Sequence, residues 1–510
     1  MATDLWLLIH LLFLSTISAS GDGNEVYFVS IDCGGSNNFT DENLIEWNGD
    51  DKLISQGVSH EVKSDYSISR VYDTLRAFDN ARNKNCYSIE AKEGQKVLVR
   101  VVFNYGNYDG RNSAPTFDLH FDGNFWVTVN TSEATLYEAI YVVKRNVIGV
   151  CVARKFPNQV PFISSLEVRG IDPEAYDGRS PDYALLTNYR IGFGLSDETI
   201  IRFPEDPYDR IWVPENIGIG LVRLNDTSTI DDNSIDNPPT RVMNGAIATM
   251  DTDHFITLSF SIVKYPIRYP MYINWYFTEV QGLGPGEYRS FEIYKDDDNI
   301  SVPTVPRIGY VSQYFVPDLS VNGTINFSIV ATDDSTLPPL INAIEIFSIS
   351  DALTNGTDDN DAEGLDSLKS AFDVLKDWGG DPCLPAPYSW DWIVCNDDPR
   401  PRVTSLNLNG YSLSGPLPDF RSMDALEIID LHNNSLTGFV PDFLGDISNL
   451  KQLNLADNQF KGSIPRSLLR NSQLNLSYTG NLLLTSSSNK KKTCKLSVIL
   501  AIAIPVFFIV

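Results

Sequence analysis

The sequence predicts a mainly β protein, in which two tandem β-sandwiches are followed by a short solenoid of repeats with a helical N-terminal cap. Three observations support this: runs rich in Val, Ile, Tyr and Phe within residues 25–350, an internal echo in that region, and a regular leucine period after residue 401. Apolar β-branched and aromatic runs separated by Gly, Asn and Asp turns are typical of strands.

The internal echo indicates a duplication. Residues Pro161–Val168 (Pro-Phe-Ile-Ser-Ser-Leu-Glu-Val) return as Pro339–Ile346 (Pro-Leu-Ile-Asn-Ala-Ile-Glu-Ile), and Phe117–His120 returns in outline as Phe291–Tyr294. The two spacings, 178 and 174 residues, are nearly equal. Self-similarity at one spacing indicates repeated structural units. We therefore expect one sandwich in each half of the region.

The predicted sandwiches cover residues 25–175 and 190–350. Residues 351–364 are polar and acidic and cannot bury a core, which predicts a linker. An N-terminal cap for the solenoid is expected over 365–400. It begins with a helix that ends at Gly379-Gly380 and whose apolar residues recur at helical spacing: Leu365, Leu368, Phe372 and Leu375.

Residues 401–481 repeat the frame Leu-x-Leu-x-x-Asn-x-Leu. Corresponding positions 406, 429 and 453 lie 23 and 24 residues apart, which is the period of a leucine-rich repeat, and Leu474–Asn481 reads as a degenerate closing unit. Side chains between the leucines should face the concave side: Ser405, Asn407, Asn409, Ile428, Asp430, His432, Gln452, Asn454 and Ala456. This face either docks a co-receptor or peptide, or belongs to a spacer.

Charge and composition exclude several classes of function. The chain of 510 residues has 39 Lys and Arg against 66 Asp and Glu, a formal charge of -27. A nucleic-acid partner is not expected, because binding phosphates needs clustered cations. Five His, six Cys and the absence of Gly-x-Ser-x-Gly or His-Glu-x-x-His motifs argue against a metal centre or catalytic site. We expect no cofactor and no metal.

The two ends indicate the secretory pathway and the extracellular side of the cell surface. Residues 1–20 read as a signal peptide, 482–495 as a polar and basic stalk, and 496–510 as a hydrophobic tail that is either a lipid-anchor signal or a short membrane helix. Nine Asn-x-Ser/Thr acceptors fit a glycoprotein: Asn38, Asn130, Asn225, Asn299, Asn322, Asn326, Asn355, Asn433 and Asn475.

Several motifs carry a family resemblance. The stretch from Trp378-Gly379-Gly380-Asp381-Pro382-Cys383 to Cys395 is similar to the N-terminal cap of plant leucine-rich-repeat receptors. Motifs upstream look like the malectin-like ectodomain of plant receptor kinases: Ile31-Asp32-Cys33-Gly34, Asn85-Cys86-Tyr87, Phe103 to Asp109, Phe117-Asp118-Leu119 and Pro161 to Ser164. Their order resembles the ectodomain of symbiosis-receptor-type kinases. Those relatives continue into a kinase, whereas this sequence contains no kinase motifs after the repeats. The chain therefore resembles a kinase-less receptor-like protein of that group.

Two disulfides are expected. A Cys383–Cys395 bridge would close a loop over the open end of the repeats. Among Cys33, Cys86 and Cys151 at most one bridge forms; spacing does not choose it, and we expect Cys33 with Cys86, leaving Cys151 as a buried thiol.

The resemblance implies recognition, since malectin is a carbohydrate-binding sandwich. Tyr105, Tyr108 and Asp109, in a Gly- and Asn-rich loop, are candidates for binding a sugar or peptide; alternatively, the tyrosines pack the loop onto the sandwich. The function expected is a membrane-anchored, non-enzymatic receptor-like protein with a glycan, peptide or protein ligand and a partner receptor kinase. A cell-wall carbohydrate-active enzyme and a structural wall-adhesion protein are the alternatives.

Overall fold

The protein was analysed as a computed structural model. The structure describes residues 27–485, apart from 81, 197, 216–217, 226–229, 231–233, 266–269 and 322. The described residues form two compact units: those up to Asp358 together with Asp377–Arg402, and Asp359–Lys376 together with those from Val403 onward. No helix in the described part of the chain is long and apolar enough to cross a membrane.

The larger unit begins with thirteen strands and two single-turn 3₁₀ helices, Ser64–Tyr66 and Arg70–Tyr72. The strands are β1 (Phe28–Asp32), β2 (Phe39–Thr40), β3 (Glu46–Gly49), β4 (Val58–Glu61), β5 (Thr74–Ala77), β6 (Lys84–Glu90), β7 (Lys96–Phe103), β8 (Thr116–Phe121), β9 (Asn124–Asn130), β10 (Thr135–Val142), β11 (Val147–Ala153), β12 (Phe162–Ile163) and β13 (Ser165–Gly170).

Eleven more strands and the short helix α1 (Thr240–Met243) follow in the same unit. The strands are β14 (Leu185–Gly192), β15 (Leu221–Asn225), β16 (Gly245–Thr249), β17 (Ile256–Ser261), β18 (Met271–Phe277), β19 (Phe291–Lys295), β20 (Asp298–Asn299), β21 (Ser312–Leu319), β22 (Thr324–Ala331), β23 (Leu340–Ile341) and β24 (Ala343–Ile349).

These strands form two sandwiches that share one sheet. The ten-stranded sheet has the order β2-β3-β1-β13-β7-β10-β14-β24-β18-β21, so that β1-β13-β7-β10 is repeated by β14-β24-β18-β21. The facing sheets repeat as well, β6-β11-β8-β9 and β17-β22-β19-β20. Each sandwich has its own apolar core. The predicted fold class is confirmed, and the echo in sequence corresponds to β12–β13 and β23–β24.

The smaller unit is a solenoid. It contains helix α2 (Asp359–Ala371), two 3₁₀ turns (Asp373–Leu375 and Asp442–Gly445) and the five-residue helix α3 (Arg466–Arg470). Its strands are short and parallel. Strand β25 (Ile393–Cys395) belongs to the larger unit. The solenoid strands are β26 (Val403–Asn407), β27 (Ser414–Pro416), β28 (Ile428–Asp430), β29 (Ser435–Thr437), β30 (Gln452–Asn454), β31 (Lys461–Ser463), β32 (Asn475–Ser477) and β33 (Leu483–Thr485).

The acidic linker prediction for residues 351–364 needs correction. Helix α2 begins at Asp359, within the predicted linker. The Asp361 side chain is buried and accepts a hydrogen bond from the Val403 backbone N–H at 2.8 Å. An acidic residue in the first turn suits the helix dipole. The acidic run is therefore partly a structural helix start, which composition alone did not reveal.

Candidate functional site

A row of buried charges crosses the ten-stranded sheet where the two sandwiches meet. It runs over five neighbouring strands as Glu167 (β13), Arg100 (β7), Glu138 (β10), Arg190 (β14) and Glu345 (β24). Glu138 Oε2 accepts hydrogen bonds from Arg100 Nε and Nη2 at 3.0 and 2.8 Å, and its Oε1 accepts one from Arg190 Nη1 at 2.6 Å. Because β10 belongs to the first sandwich and β14 to the second, Glu138 ties the two together.

The electrostatics of this row favour charged side chains despite burial. Burial alone raises the pKa of the Glu138 carboxyl, but the positive charges of Arg190 and Arg100 outweigh it and lower the pKa to about 2. Asp209, in the segment after β14, accepts from Arg100, Arg169 and Arg202, and the same balance lowers its pKa. A buried carboxylate is tolerated only when it is paired in this way. The row therefore fixes the relative position of the sandwiches.

We call the boundary between the two sandwiches, which the row of charges crosses, the seam. A groove of about 450 Å³ adjoins it. Residues of both sandwich halves line it: Phe39, Thr40, Asp41, Glu42, Asn43, Trp47, Ser69, Arg70, Val71, Tyr72, Ile200, Arg202 and Ile211. Its floor is a small apolar cluster in which Ile45, Trp47 and Val71 are buried and Phe39 and Tyr72 pack against them. Because the floor is packed, the groove is a preformed concavity, and its volume lies in the range of small-ligand sites.

Two of the charged groups in the lining are held by the fold. Asp41 Oδ1 accepts hydrogen bonds from the backbone N–H groups of Asn43 and Ile45 at 2.8 and 2.9 Å, and its Oδ2 accepts from Trp47 Nε1 at 3.0 Å. Arg202 donates to Glu167 of the buried row and to Asp209. These groups shape the groove, and their polar atoms are already engaged.

Three other residues in the lining, Arg70, Ile200 and Glu42, have side chains that are exposed to solvent. Arg70 is exposed, and its guanidinium lies 3.8 Å from the centroid of the Phe39 ring. Ile200 is 61% exposed although it is aliphatic. The groove thus combines an exposed cation, an exposed apolar side chain and the exposed carboxylate of Glu42. Histidine and cysteine are missing from its described lining.

The predicted binding loop at Tyr105, Tyr108 and Asp109 is packed onto the sandwich. Tyr105 is only 8% exposed, and its hydroxyl donates to Asp109 Oδ1 at 2.5 Å. Its ring lies 5.6 Å from that of Tyr108, and both rings approach Phe162. Burial raises the pKa of the Tyr105 hydroxyl to about 12, with the Asp109 hydrogen bond adding to the effect. These contacts explain why the residues are there without a ligand; their binding role remains a prediction.

Residues Asp377–Arg402, expected as part of the repeat cap, group with the sandwich unit. Asp381 Oδ1 accepts from the Thr357 hydroxyl and from the backbone N–H of Cys383 and Leu384, at 2.6, 3.0 and 2.9 Å. The buried Lys84 Nζ donates to the carbonyl oxygens of Asp381 and Leu384 at 2.7 and 2.8 Å. The Gly-Asp-Pro-Cys stretch is therefore anchored on β6 of the first sandwich.

The disulfides differ in part from the prediction. The predicted Cys383–Cys395 bridge is present. The predicted Cys33–Cys86 pair is wrong, because Cys86 pairs with Cys151 and Cys33 is a buried free thiol. Strands β6 and β11 are antiparallel neighbours that place Cys86 directly opposite Cys151. The pairing follows from the register of the two strands, which the spacing of the cysteines along the sequence does not reveal.

In the solenoid, the asparagines of the repeat frame form hydrogen bonds with the backbone. Asn458 Nδ2 donates to the carbonyl oxygens of Leu431, Leu455 and Ala456, and its Oδ1 accepts from Leu436 N–H. One repeat earlier, Asn434 Nδ2 donates to the Leu408 carbonyl oxygen and its Oδ1 accepts from the Leu413 N–H. Asn434 thus bonds the turn of the first repeat, where Tyr411 occupies the Asn position of the frame.

The predicted concave-face residues lie in rows across the parallel strands. Ser405, Ile428 and Gln452 stand opposite one another, as do Asn407, Asp430 and Asn454. Asp430 Oδ1 lies 2.7 Å from His432 Nδ1, while Ser405 is buried and Asn409 is exposed. Most of the side chains in these rows are polar, and their use as a binding surface stays a prediction.

The described acceptor asparagines are all exposed, namely Asn38, Asn130, Asn225, Asn299, Asn326, Asn355, Asn433 and Asn475. Asn322, the signal peptide at 1–20 and the tail at 496–510 lie outside the described residues, as does most of the stalk at 482–495. Within the described ranges, His, Cys, Asp and Glu side chains do not gather in groups suited to hold a metal ion.

Comparisons with known proteins agree with this architecture. The Malectin-like domain family matches residues 31–349, and the Leucine rich repeat family matches 401–460. The probable LRR receptor-like serine/threonine-protein kinase At1g05700 of Arabidopsis thaliana is 35% identical over 404 residues, covering 76% of this chain and 46% of that protein. IOS1, an LRR receptor-like serine/threonine-protein kinase of the same plant, is 33% identical over 416 residues, covering 79% and 46%. The chain spans about half the length of these curated relatives.

Among solved structures, the ANX2 ectodomain from Arabidopsis thaliana matches with a TM-score of 0.55 at 18% identity, covering 64% of this chain and 97% of that one. The plant receptor-like kinase FER matches with a TM-score of 0.55 at 19% identity, covering 64% and 96%. These matches establish the fold of the paired sandwiches. With its 31–349 match and the repeats that follow, the chain belongs to the malectin-like domain family, in the arrangement found in plant LRR receptor-like kinases.

Proposed function

We propose that this chain is a non-enzymatic, cell-surface receptor-like protein that recognises a ligand through its malectin-like domain. The observation that supports this most strongly is the preformed groove of about 450 Å³ beside a charge-locked seam between the sandwiches. A rigid concavity lowers the ordering cost of binding. The domain order shared with receptor kinases supports the same role.

The ligand class is carbohydrate, peptide or protein. A related solved complex contains the plant peptide RALF23 with FER and LLG2, matching this chain with a TM-score of 0.52 at 18% identity. That complex concerns FER, but it makes a peptide and an accessory protein reasonable partners to test. The polar concave face of the repeats, including Asp430 and His432, offers a second contact for a membrane receptor-kinase partner.

A binding assay with a check for turnover tests the proposal. The protein, extracted from membranes in detergent, is applied to an array of cell-wall oligosaccharides and to a peptide library. The masses of the bound compounds are then measured by mass spectrometry. Binding with unchanged ligand mass supports a receptor. Shortened oligosaccharides would instead indicate a carbohydrate-active enzyme, and no binding to either set would contradict ligand recognition.

Localisation and anchoring have separate tests. The protein is proposed to reside on the extracellular side of the plasma membrane, attached through the segment 496–510. Treatment of intact cells with phosphatidylinositol-specific phospholipase C releases a lipid-anchored form and leaves a membrane-spanning form in place. Co-purification of a receptor kinase after mild crosslinking supports the partner, whereas its absence supports the structural wall-adhesion alternative.

A further inference from the structure

The Arg70 guanidinium is a free cation in a fixed position. It lies 3.8 Å from the Phe39 ring centroid, and no hydrogen bond or ion pair joins it to any residue within the described ranges. Its backbone is held in the Arg70–Tyr72 turn, next to the buried Val71. A guanidinium carries five N–H donors in a planar fork that matches a carboxylate. Stacking on a ring restricts that fork while leaving its edges free to donate.

The groove is poorly suited to a neutral sugar. Sugar rings bind against open aromatic faces, with carboxylates or amides accepting from the hydroxyls. Here the Phe39 face is covered by Arg70, and Trp47 is only 1% exposed. The Asp41 carboxylate is already occupied by two backbone N–H groups and the Trp47 indole. A neutral oligosaccharide would therefore find little open stacking surface, with the exposed Glu42 carboxylate left to accept from its hydroxyls.

The apolar part of the groove favours an aliphatic partner. Ile200 is 61% exposed, and Ile211, on the same segment, is partly exposed in the lining. Burial of apolar surface by a ligand stabilises the complex in proportion to the area removed from water. An aliphatic side chain over Ile200 and a carboxylate at Arg70 would thus contact the exposed apolar side chain and the exposed cation at once.

We infer that the groove binds a short peptide segment in which an acidic residue lies next to an aliphatic one, with the carboxylate on Arg70 and the aliphatic side chain on Ile200. The inference rests on the proposed receptor function and specifies its ligand class and site. The net charge of -27 disfavours a strongly anionic ligand at long range, so a segment with a single carboxylate is expected.

A random heptapeptide display library tests this inference, with the full chain, extracted from membranes in detergent, immobilised as bait. Arg70→Gln is the test variant. Arg111→Gln is the matched control, because Arg111 is another exposed arginine of the first sandwich, with its side chain 66% exposed, and it lies outside the groove. Since both arginines are exposed, both variants should keep the wild-type melting temperature.

The expected result is enrichment of peptides with Asp or Glu beside Ile, Leu or Val on the wild-type and Arg111→Gln proteins. An enriched peptide should bind at least about tenfold more weakly to Arg70→Gln, equivalent to ~1.4 kcal/mol. Replacing the Asp or Glu of that peptide by Asn or Gln should weaken binding to the wild type by the same factor. It should leave binding to Arg70→Gln unchanged.

Other outcomes overturn the inference. Enrichment without an acidic position, enrichment that survives Arg70→Gln, or no enrichment at all would each exclude the peptide site. If the wall-oligosaccharide array then shows binding that both arginine variants retain, the receptor function stands and only the groove assignment fails. If neither the peptide library nor the oligosaccharide array yields a ligand, both the groove assignment and the proposed receptor function fail.

Discussion

Glu138 provides the sharpest test of how the sandwiches are joined. Its pKa falls from an ordinary 4.5 to about 2 because Arg190 and Arg100 outweigh the cost of burial. At 1.36 kcal/mol per pKa unit, the ionised carboxylate contributes ~3 kcal/mol to the free energy of unfolding. The Glu138→Gln variant keeps the shape of the side chain but removes its charge, leaving two buried guanidinium groups with less compensation. We expect it to lose ~3 kcal/mol at pH 7.

The pH dependence has a definite sign. A carboxyl with a depressed folded-state pKa stabilises the fold at pH values above its unfolded pKa, and this contribution is lost as the pH falls from 4.5 to about 2. The difference between wild type and Glu138→Gln should therefore be constant above about pH 5 and shrink towards pH 2.

Urea unfolding followed by tryptophan fluorescence at several pH values measures this difference. Glu133→Gln is the control, since Glu133 is exposed in the loop that precedes the same strand β10. If Glu138→Gln and Glu133→Gln unfold with the same free energy at pH 7, or if the gap does not narrow in acid, the electrostatic account of the seam is incorrect.

Three further predictions concern other parts of the chain. Asn458→Ala should destabilise the solenoid by ~2–3 kcal/mol, because its buried amide serves three carbonyls and one N–H; thermal melting checks this. Gly380→Ala should speed proteolysis near residues 377–402, because a Cβ would lie 2.5 Å from Cys86 Sγ. Cys33 should resist alkylation in the native protein and react after denaturation, because burial raises its thiol pKa and blocks access.

Each of these has a matched check. Asn449→Ala changes an exposed asparagine of the same solenoid and should leave the melting temperature almost unchanged. Gly94→Ala imposes a similar positive φ, +80° against +68°, where a Cβ would meet nothing within 4 Å, so equal proteolysis of both glycine variants would exclude the clash. Rapid alkylation of native Cys33, located by peptide mapping, would contradict its burial.

The fold was accessible from the sequence where a pattern repeats. The Asn-x-Leu frame placed Asn434 and Asn458 correctly, because one side chain performs one task at each turn of the solenoid. The echo of Leu166-Glu167-Val168 in Ile344-Glu345-Ile346 revealed the duplication. The same echo also points to the buried row. Each of the two apolar strands has an acidic residue at its middle, Glu167 and Glu345, and such a residue indicates a buried charge that needs a partner.

The candidate site was less accessible, because it is assembled from distant segments. The groove combines residues 39–47, 69–72 and 200–211, and no local motif unites them. The predicted loop at Tyr105 has the composition of a binding loop, but its tyrosine hydroxyl is bonded to Asp109 within the loop. The Cys86–Cys151 pair likewise depends on the register of β6 with β11, which the sequence spacing leaves undetermined.

The most direct test of ligand recognition by the malectin-like domain is hydrogen exchange, measured by mass spectrometry, with and without a ligand selected from the peptide or oligosaccharide sets. Protection is predicted in the peptides that cover residues 39–47, 69–72 and 200–211, together with an unchanged ligand mass. Protection confined to the concave face of the repeats or to the Tyr105–Asp109 loop, or a ligand recovered in shortened form, would contradict the account.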